Sequence, residues 1–132
     1  MTDGDVDWDR LRSAAGEAAR RAYAPYSGLR VGAAAVTDTG AVVVGCNVEN
    51  ASLGLTLCAE CALVGAARID GATSLVAVSC VSPDTDEILQ PCGRCRQILF
   101  EMGGHDLLVD GAHGPLPMEE LLPRAFGPDD LP

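Results

Sequence analysis

The sequence predicts an α/β layered domain built around a mixed sheet. Two observations carry this prediction. In the second half of the chain, short runs rich in Val and Ala alternate with segments of helical spacing. In the first half, two such runs flank a hairpin turn, so the sheet is only partly parallel. The length of 132 residues fits one domain spanning 1–132.

The first half of the chain is predicted to form a helix followed by a hairpin. Apolar residues at helical spacing between Trp8 and Ala22 predict a helix over 7–23, which "APYSG" ends. Strands are predicted over 29–37 and 41–47, on either side of the turn signal "DTG". The polar loop "NVENASLG" follows the second strand.

The second half is predicted to alternate helices with buried strands. Pro91 is placed at a helix start, where its missing N–H costs no hydrogen bond. The run "TSLVAVSCVS" is apolar on both faces, as in a fully buried strand. The predicted elements are helices over 57–68, 91–102 and 118–123, and strands over 73–82 and 106–110.

Composition and charge exclude several classes of partner. The 19 acidic and 9 basic residues give a net charge of -10, which disfavours binding to a long nucleic acid. No apolar run approaches the length of a membrane span, and the polar N-terminus does not resemble a signal peptide. We therefore expect a cytoplasmic protein without a membrane partner. In such a reducing compartment, the six cysteines indicate metal binding or catalysis rather than disulfides.

Two CxxC pairs, in "LCAECA" (57–62) and "PCGRCRQ" (91–97), are the strongest chemical signal. One hypothesis is a non-enzymatic structural domain with a closed four-cysteine zinc site, for which doubled CxxC is the usual sign. Against it, each pair opens a predicted helix, whereas zinc-ribbon pairs usually lie in tight turns. A thioredoxin-like redox pair is a second hypothesis, but it leaves the other CxxC without a role.

A third hypothesis is a catalytic zinc site formed by Cys58, Cys92 and Cys95. Three protein ligands leave the fourth tetrahedral position open for water. Cys92 and Cys95 are three residues apart and share one face of a helix's first turn. Glu60, two residues after Cys58, can point at that water and accept its proton without binding the metal.

The order Cys-x-Glu and then Pro-Cys-x-x-Cys is a signature of zinc nucleobase deaminases. The whole chain resembles the small, tetrameric-type cytidine deaminases. The resemblance is carried by "YAPYSGLRVGAA" (23–34), "GCNVENASLGLTLCAE" (45–60), "PCGRCRQILFE" (91–101) and "LLPRAFGPDDL" (121–131). It implies a three-layer α/β/α fold with a central mixed sheet of about five strands. It also implies one Zn²⁺ per chain, a homotetramer, and hydrolytic deamination of cytidine and 2′-deoxycytidine in pyrimidine salvage.

The resemblance also implies roles for individual residues. Asn47 and Glu49 are expected to bind the ribose hydroxyls, and Phe126 to reach the site of a neighbouring subunit. Relatives usually carry aromatic residues where Leu29 and Leu53 stand, so we expect an apolar pocket with less stacking surface. A blasticidin-S-type aminonucleoside deaminase, which shares "PCGRCRQ", is the alternative activity.

Cys61 is the cysteine that the resemblance leaves without a ligand role. Many relatives carry an arginine there, whose charge is considered to offset that of three thiolates. Arg94 and Arg96 are the two candidates to supply this charge here, together with the helix N-termini. Two further cysteines, Cys46 and Cys80, lie in apolar strands and are predicted to be buried core thiols.

Overall fold

A five-stranded mixed sheet forms the centre of the fold. The computed structural model describes residues 3–85 and 87–132. The strands are β1 (Gly32–Thr37), β2 (Val42–Cys46), β3 (Leu75–Val81), β4 (Leu108–Val109) and β5 (Leu116–Pro117). Their order across the sheet is β2-β1-β3-β4-β5. The β3–β4 pair is parallel, and the other neighbours are antiparallel. The predicted mixed sheet is confirmed.

Helices cover both faces of this sheet. In the described part of the chain they are α1 (Trp8–Ala19), α2 (Ala59–Ile69), α3 (Gly93–Gly103) and α4 (Met118–Leu121). Helix α1 packs on one face, whereas α2 and α3 pack on the other. Successive side chains of β1 point to opposite faces of the sheet. Ala33 and Ala35 therefore join the core under α2 and α3, whereas Ala34 joins the core under α1. The three-layer prediction is therefore confirmed.

Small residues let the helices lie close to the strands. A Cβ atom on Gly32 would lie 1.8 Å from the carbonyl oxygen of Ala15, so α1 rests directly on the backbone of β1. Alanines at the facing positions of both elements keep the two layers close. This tight contact fixes the position of α1 relative to the sheet.

Several element boundaries differ from the prediction. Helix α1 ends at Ala19 rather than near 23, because Tyr23 turns to pair with the strand that leaves β2. The Tyr23 N–H donates to the carbonyl of Asn47 at 3.0 Å, and the Glu49 N–H donates to the carbonyl of Tyr23 at 2.8 Å. Strand β4 has two residues instead of five, and β5 was not predicted as a separate element.

An ion pair with a buried carboxylate joins α1 to the far half of the sheet. Arg12 donates from Nε and Nη2 to the two carboxylate oxygens of Asp110, at 2.8 and 2.9 Å. The Asp110 side chain is fully buried and also accepts hydrogen bonds from Ser79 Oγ and the Gly111 N–H. Both oxygens of this carboxylate accept hydrogen bonds, and Arg12 compensates its negative charge.

Among the described residues, no helix combines the length and the apolar character that crossing a membrane requires.

Loss of Arg12 is expected to destabilise the protein strongly. Arg12→Met leaves a buried carboxylate without its cation, and we expect the free energy of unfolding to fall by about 3 kcal/mol. The control is Arg20→Met at the C-cap of the same helix, which removes an ion pair to Glu17 whose side chains are both largely exposed. That change should cost under about 1 kcal/mol. Urea unfolding of the variants measures both values, and equal losses would contradict the proposed role of the buried pair.

Candidate active site

The N-terminal ends of α2 and α3 bring the cysteines of both CxxC pairs together. Cys58 occupies the N-cap position of α2, and Cys92 occupies that of α3. Both residues are extended, and neither side chain caps its own helix. Their sulfur atoms are therefore available to another partner, in a region where two helix N-termini favour negative charge.

Three of these sulfur atoms form a group with the dimensions of a zinc site. The Sγ atoms of Cys58, Cys92 and Cys95 all lie within 4.8 Å of one another, and the Cys58–Cys92 distance is 3.9 Å. Tetrahedral zinc with bonds of about 2.3 Å to sulfur separates its ligands by about 3.8 Å. The donor set thus fits Zn²⁺. Cys61 is outside this group, although its Sγ atom lies 3.9 Å from that of Cys95.

The three thiols differ in how readily they ionise without a metal. Burial raises the pKa of Cys58 and, more strongly, that of Cys95, where the nearby Glu60 adds to the effect. Burial acts in the same direction on Cys92, but hydrogen bonds from the backbone and thiol of Cys95 outweigh it and lower the pKa of Cys92. Cys92 is therefore the thiol that ionises most readily, and a bound cation favours ionisation of all three.

Glu60 is a buried carboxyl group beside this cluster. It lies in the first turn of α2 and is 5% exposed. Burial raises the pKa of Glu60, and hydrogen bonds involving its own backbone and the thiols of Cys80 and Cys95 partly oppose the shift. A raised pKa suits a carboxyl group that must both accept and donate protons near neutral pH.

A cavity of about 310 Å³ connects the cluster with the surrounding loops. A volume of this size is at the small end of the range for small-molecule sites. Its lining is mostly apolar and consists of Leu29, Val31, Asn47, Thr56, Cys58, Ala59, Glu60, Cys80, Leu89, Gln90 and Cys92.

Two lining residues were not expected from the sequence. Cys80 is buried, as predicted, but it lies against Glu60 rather than only in the core. Gln90 lines the cavity just before the second cysteine pair, and its Nε2 donates to the carbonyl of Asp110 at 3.0 Å. Cys46 differs from its prediction, because the edge strand β2 leaves it partly exposed. Spacing along the chain carried no signal for these contacts.

Asn47 lies in the cavity wall and organises the loop before β1. Its Oδ1 accepts a hydrogen bond from the Val31 N–H at 2.8 Å, and its Nδ2 donates to the carbonyl of Leu29 at 2.9 Å. The Oδ1 atom can accept one more hydrogen bond, and the Nδ2 atom can donate one more. The side chain therefore positions Leu29 and can still reach a polar ligand.

Glu49 organises the adjacent "APYSG" loop. Its Oε1 accepts from the backbone N–H groups of Tyr26 and Ser27, and its Oε2 accepts from the Ser27 hydroxyl. These hydrogen bonds lower the pKa of Glu49, and the one from the Ser27 hydroxyl has the largest effect. Glu49 does not itself line the cavity among the described residues. It is an ionised acceptor on the loop next to the cavity.

Phe126 and Leu53 lie outside the cavity of their own chain. The Phe126 side chain is 60% exposed, and the carbonyl of this residue accepts a hydrogen bond from Gln97 Nε2. Leu53 is 71% exposed in a short 3₁₀ turn. Leu29, in contrast, contributes directly to the cavity wall.

The two candidate arginines have different partners. Arg96 donates to the carbonyl oxygens of Pro91 and Leu121, at 2.8 and 2.9 Å, and thereby fixes backbone. Arg94 donates from Nη2 to the Sγ atom of Cys61 at 3.6 Å. The structure therefore brings Arg94, rather than Arg96, to the sulfur cluster.

The comparison with known families and proteins agrees with this geometry. The family model for the cytidine and deoxycytidylate deaminase zinc-binding region matches residues 7–110. A cytidine deaminase from Mycobacterium tuberculosis is 56% identical over 128 residues, which cover 97% of this chain and 96% of that protein. A cytidine deaminase from Halalkalibacterium halodurans is 39% identical, with 96% and 98% of the two chains covered.

Solved structures show the same fold. The crystal structure of the M. tuberculosis cytidine deaminase superposes with a TM-score of 0.90 at 55% identity, covering 93% of this chain and 99% of the other. That of the Mycobacterium leprae cytidine deaminase has a TM-score of 0.88 at 48% identity, covering 91% and 100%.

Zinc content separates a three-cysteine site from a four-cysteine site. Cys61 is outside the sulfur group, so we expect Cys61→Ser to retain one zinc per chain. Cys58→Ala, Cys92→Ala and Cys95→Ala should each lose it, because each removes a ligand. Elemental analysis of the purified proteins measures the ratio. A Cys61→Ser protein as empty as Cys92→Ala would restore the closed four-cysteine hypothesis.

Proposed function

Because this chain belongs to the cytidine and deoxycytidylate deaminase family, we propose that it hydrolyses cytidine and 2′-deoxycytidine. The products are uridine or 2′-deoxyuridine and ammonia. One observation carries the proposal: the buried carboxyl of Glu60 lies beside a three-sulfur group, and it lines one small, mostly apolar cavity together with Cys58 and Cys92 of that group. A structural zinc site has no need of either the carboxyl group or the cavity.

Zinc would be held by Cys58, Cys92 and Cys95. Thiolates are ligands that zinc prefers, and the spacing of these sulfur atoms fits its tetrahedral geometry. When bound at such a site, zinc lowers the pKa of water and so provides a nucleophile at neutral pH. The two helix N-termini stabilise the thiolates through their partial positive charge.

Glu60 would carry the protons of the reaction. Its carboxylate accepts a proton from the attacking water, which adds to C4 of the pyrimidine. The carboxyl group gives this proton to N3, then takes the remaining proton from the hydroxyl now on C4 and gives it to the departing amino group, so that water and cytidine yield uridine and ammonia. Burial beside the sulfur group keeps the carboxyl within the cavity and raises its pKa, which supports this exchange.

Asn47 and Glu49 would bind the sugar. An amide and a carboxylate together can serve a hydroxyl as both donor and acceptor. Asn47 lines the cavity, and Glu49 lies on the loop beside it, where its Oε2 can accept one more hydrogen bond. Leu29 supplies an apolar wall for the base without aromatic stacking.

We also propose a homotetramer in which Phe126 contributes to the site of a neighbouring subunit. Large exposed apolar side chains mark candidate interaction surface. Val48, Leu55 and Leu57 are exposed and directly adjoin the cavity-lining Asn47 and Thr56 in the chain, and the exposed Tyr23 pairs with Val48. Analytical ultracentrifugation tests the assembly, and a monomer at micromolar concentration would exclude it.

In the cell, we propose a single-domain cytoplasmic enzyme of pyrimidine salvage that acts on free nucleosides and binds neither membranes nor long nucleic acids. The net charge of -10 supports the exclusion of polynucleotides. Growth on cytidine as the pyrimidine source, with and without this protein, tests the salvage role. Growth that does not depend on it would contradict that role.

A combined assay tests the central proposal. Zinc content and the change in ultraviolet absorbance on deamination are measured on the same preparation. One zinc per chain with turnover of cytidine supports the assignment. One zinc without turnover indicates a structural domain, and faster turnover of blasticidin S than of cytidine indicates an aminonucleoside deaminase.

Replacement of Glu60 should separate metal binding from turnover. Glu60→Gln keeps the shape of the side chain but cannot exchange protons, so we expect kcat to fall by about 10²–10⁴-fold. The zinc content should remain one per chain, because Glu60 is not in the sulfur group. The control is Glu101→Gln, an exposed residue of α3, which should leave kcat unchanged. Loss of zinc from Glu60→Gln would contradict the proton-transfer role.

The substrate panel tests the assignment of the sugar-binding residues. Cytidine and 2′-deoxycytidine share the 3′-hydroxyl and should both be turned over, whereas free cytosine should be a poor substrate because it leaves buried polar groups unpaired. Leu29→Phe should lower KM by restoring stacking on the base, with little change in kcat. Steady-state kinetics measure each value. Efficient turnover of cytosine would contradict recognition of the sugar.

A further inference from the structure

Arg94 occupies an unusual position for a cation. It lies in the first turn of α3, where the helix dipole disfavours positive charge, and that turn contains no acidic residue. Among the described residues, no carboxylate forms an ion pair with Arg94, although the chain has about twice as many acidic as basic residues. Arg94 instead donates a hydrogen bond to the Sγ atom of Cys61, on the neighbouring helix.

Cys61 connects this arginine to the sulfur group. The guanidinium Nη2 lies 3.6 Å from Cys61 Sγ, which in turn lies 3.9 Å from the Sγ atom of the buried Cys95. Arg94 also directly precedes Cys95 in the chain. The charged end of the side chain therefore reaches from α3 across to α2 at the edge of the cluster.

The charge of the loaded site explains why a cation belongs there. Three thiolates and Zn²⁺ carry a net charge of −1, which the partial charges of two helix N-termini reduce only in part. The other candidate, Arg96, is engaged by two backbone carbonyl oxygens. Of the two candidates, Arg94 is therefore the one whose guanidinium contacts a cysteine sulfur, that of Cys61.

We propose that Arg94, held in place by the sulfur of Cys61, is a positioning residue that balances the excess negative charge of the three-thiolate zinc site. The proposal rests on the zinc-dependent function proposed above. The cation comes from α3 and contacts the sulfur of Cys61 on α2. Because the guanidinium is always protonated, the charge is constant across the working pH range.

Zinc retention tests this role without relying on turnover. Loading replaces three neutral thiols by a complex of charge −1, so a nearby cation favours the loaded state. We expect Arg94→Gln to raise the apparent Kd for zinc about two- to fivefold, the range of an exposed charge pair. Competition with a chromophoric zinc chelator at pH 7 and low salt measures it.

Three further variants separate charge from structure. Arg94→Lys keeps the charge and should remain close to the wild type. Cys61→Ala removes the contact and should resemble Arg94→Gln. The double variant Arg94→Gln with Cys61→Arg moves the cation to α2 and should recover the wild-type affinity. Arg20→Gln is the control for net charge, since Arg20 is the exposed C-cap residue after α1 and is distant in sequence from both cysteine pairs.

The pH dependence of kcat/KM gives a second readout. Loss of the cation should move the acidic limb of the profile to higher pH in Arg94→Gln, and the double variant should move it back. Equal zinc affinities for wild type, Arg94→Gln and Arg20→Gln would overturn the proposal, as would an Arg94→Lys protein as weak as Arg94→Gln. Neither result would contradict the deaminase function, provided that the wild type binds zinc and turns over cytidine. A wild-type protein that binds no zinc would overturn the Arg94 proposal and the proposed function together.

Discussion

The close contact of α2 with strand β2 positions the chemistry of the site. A Cβ atom on Gly45 would lie 2.5 Å from both the carbonyl oxygen of Ala59 and the backbone nitrogen of Leu63, so any larger residue would push the helix away from the strand. The first turn of α2 carries Cys58 at its N-cap and Glu60 two residues later. A shift of the helix by a fraction of an ångström would therefore move a sulfur ligand and the carboxyl group together relative to α3.

The electrostatics of the site depend on this same packing. Helix N-termini favour the thiolates, whereas burial penalises them and the carboxyl of Glu60. Without a metal these opposing effects leave a cluster that resists full ionisation. A bound cation resolves the conflict, so metal binding and the stability of this region are coupled. A buried carboxyl group such as that of Glu60 would be unfavourable in an ordinary core, and departures of this kind are expected at functional sites.

The sequence predicted the layered fold and the main chemical groups because both have strong local signals. Periodicity located α1 to α3 and β1 to β3, and doubled CxxC with an intervening glutamate pointed to a metal and a proton carrier. The family resemblance and the resulting deaminase activity are confirmed by the comparisons. The roles of individual residues such as Glu60 and Asn47 stay predictions.

What the sequence could not predict depends on contacts between distant segments. Strand β5 has two residues, which is too short to show alternation. Cys80 and Gln90 join the cavity only because β3 and the segment before α3 meet there. Arg94 and Arg96 are two residues apart, and only the direction of each side chain separates the one at the sulfur cluster from the one that binds carbonyls.

The hydrogen bonds of Asn47 and Glu49 have a thermodynamic consequence for ligand capture. Both side chains already hold the loops around the cavity through backbone N–H and carbonyl groups, before any nucleoside arrives. Their rotamers and the loop backbone are therefore restricted in the free protein, and association loses little conformational entropy in ordering them. Binding should then carry a smaller entropic penalty, with selectivity set by rigid geometry rather than by loop closure. The entropic cost of ordering these loops is met once, during folding, and not at each encounter with a ligand.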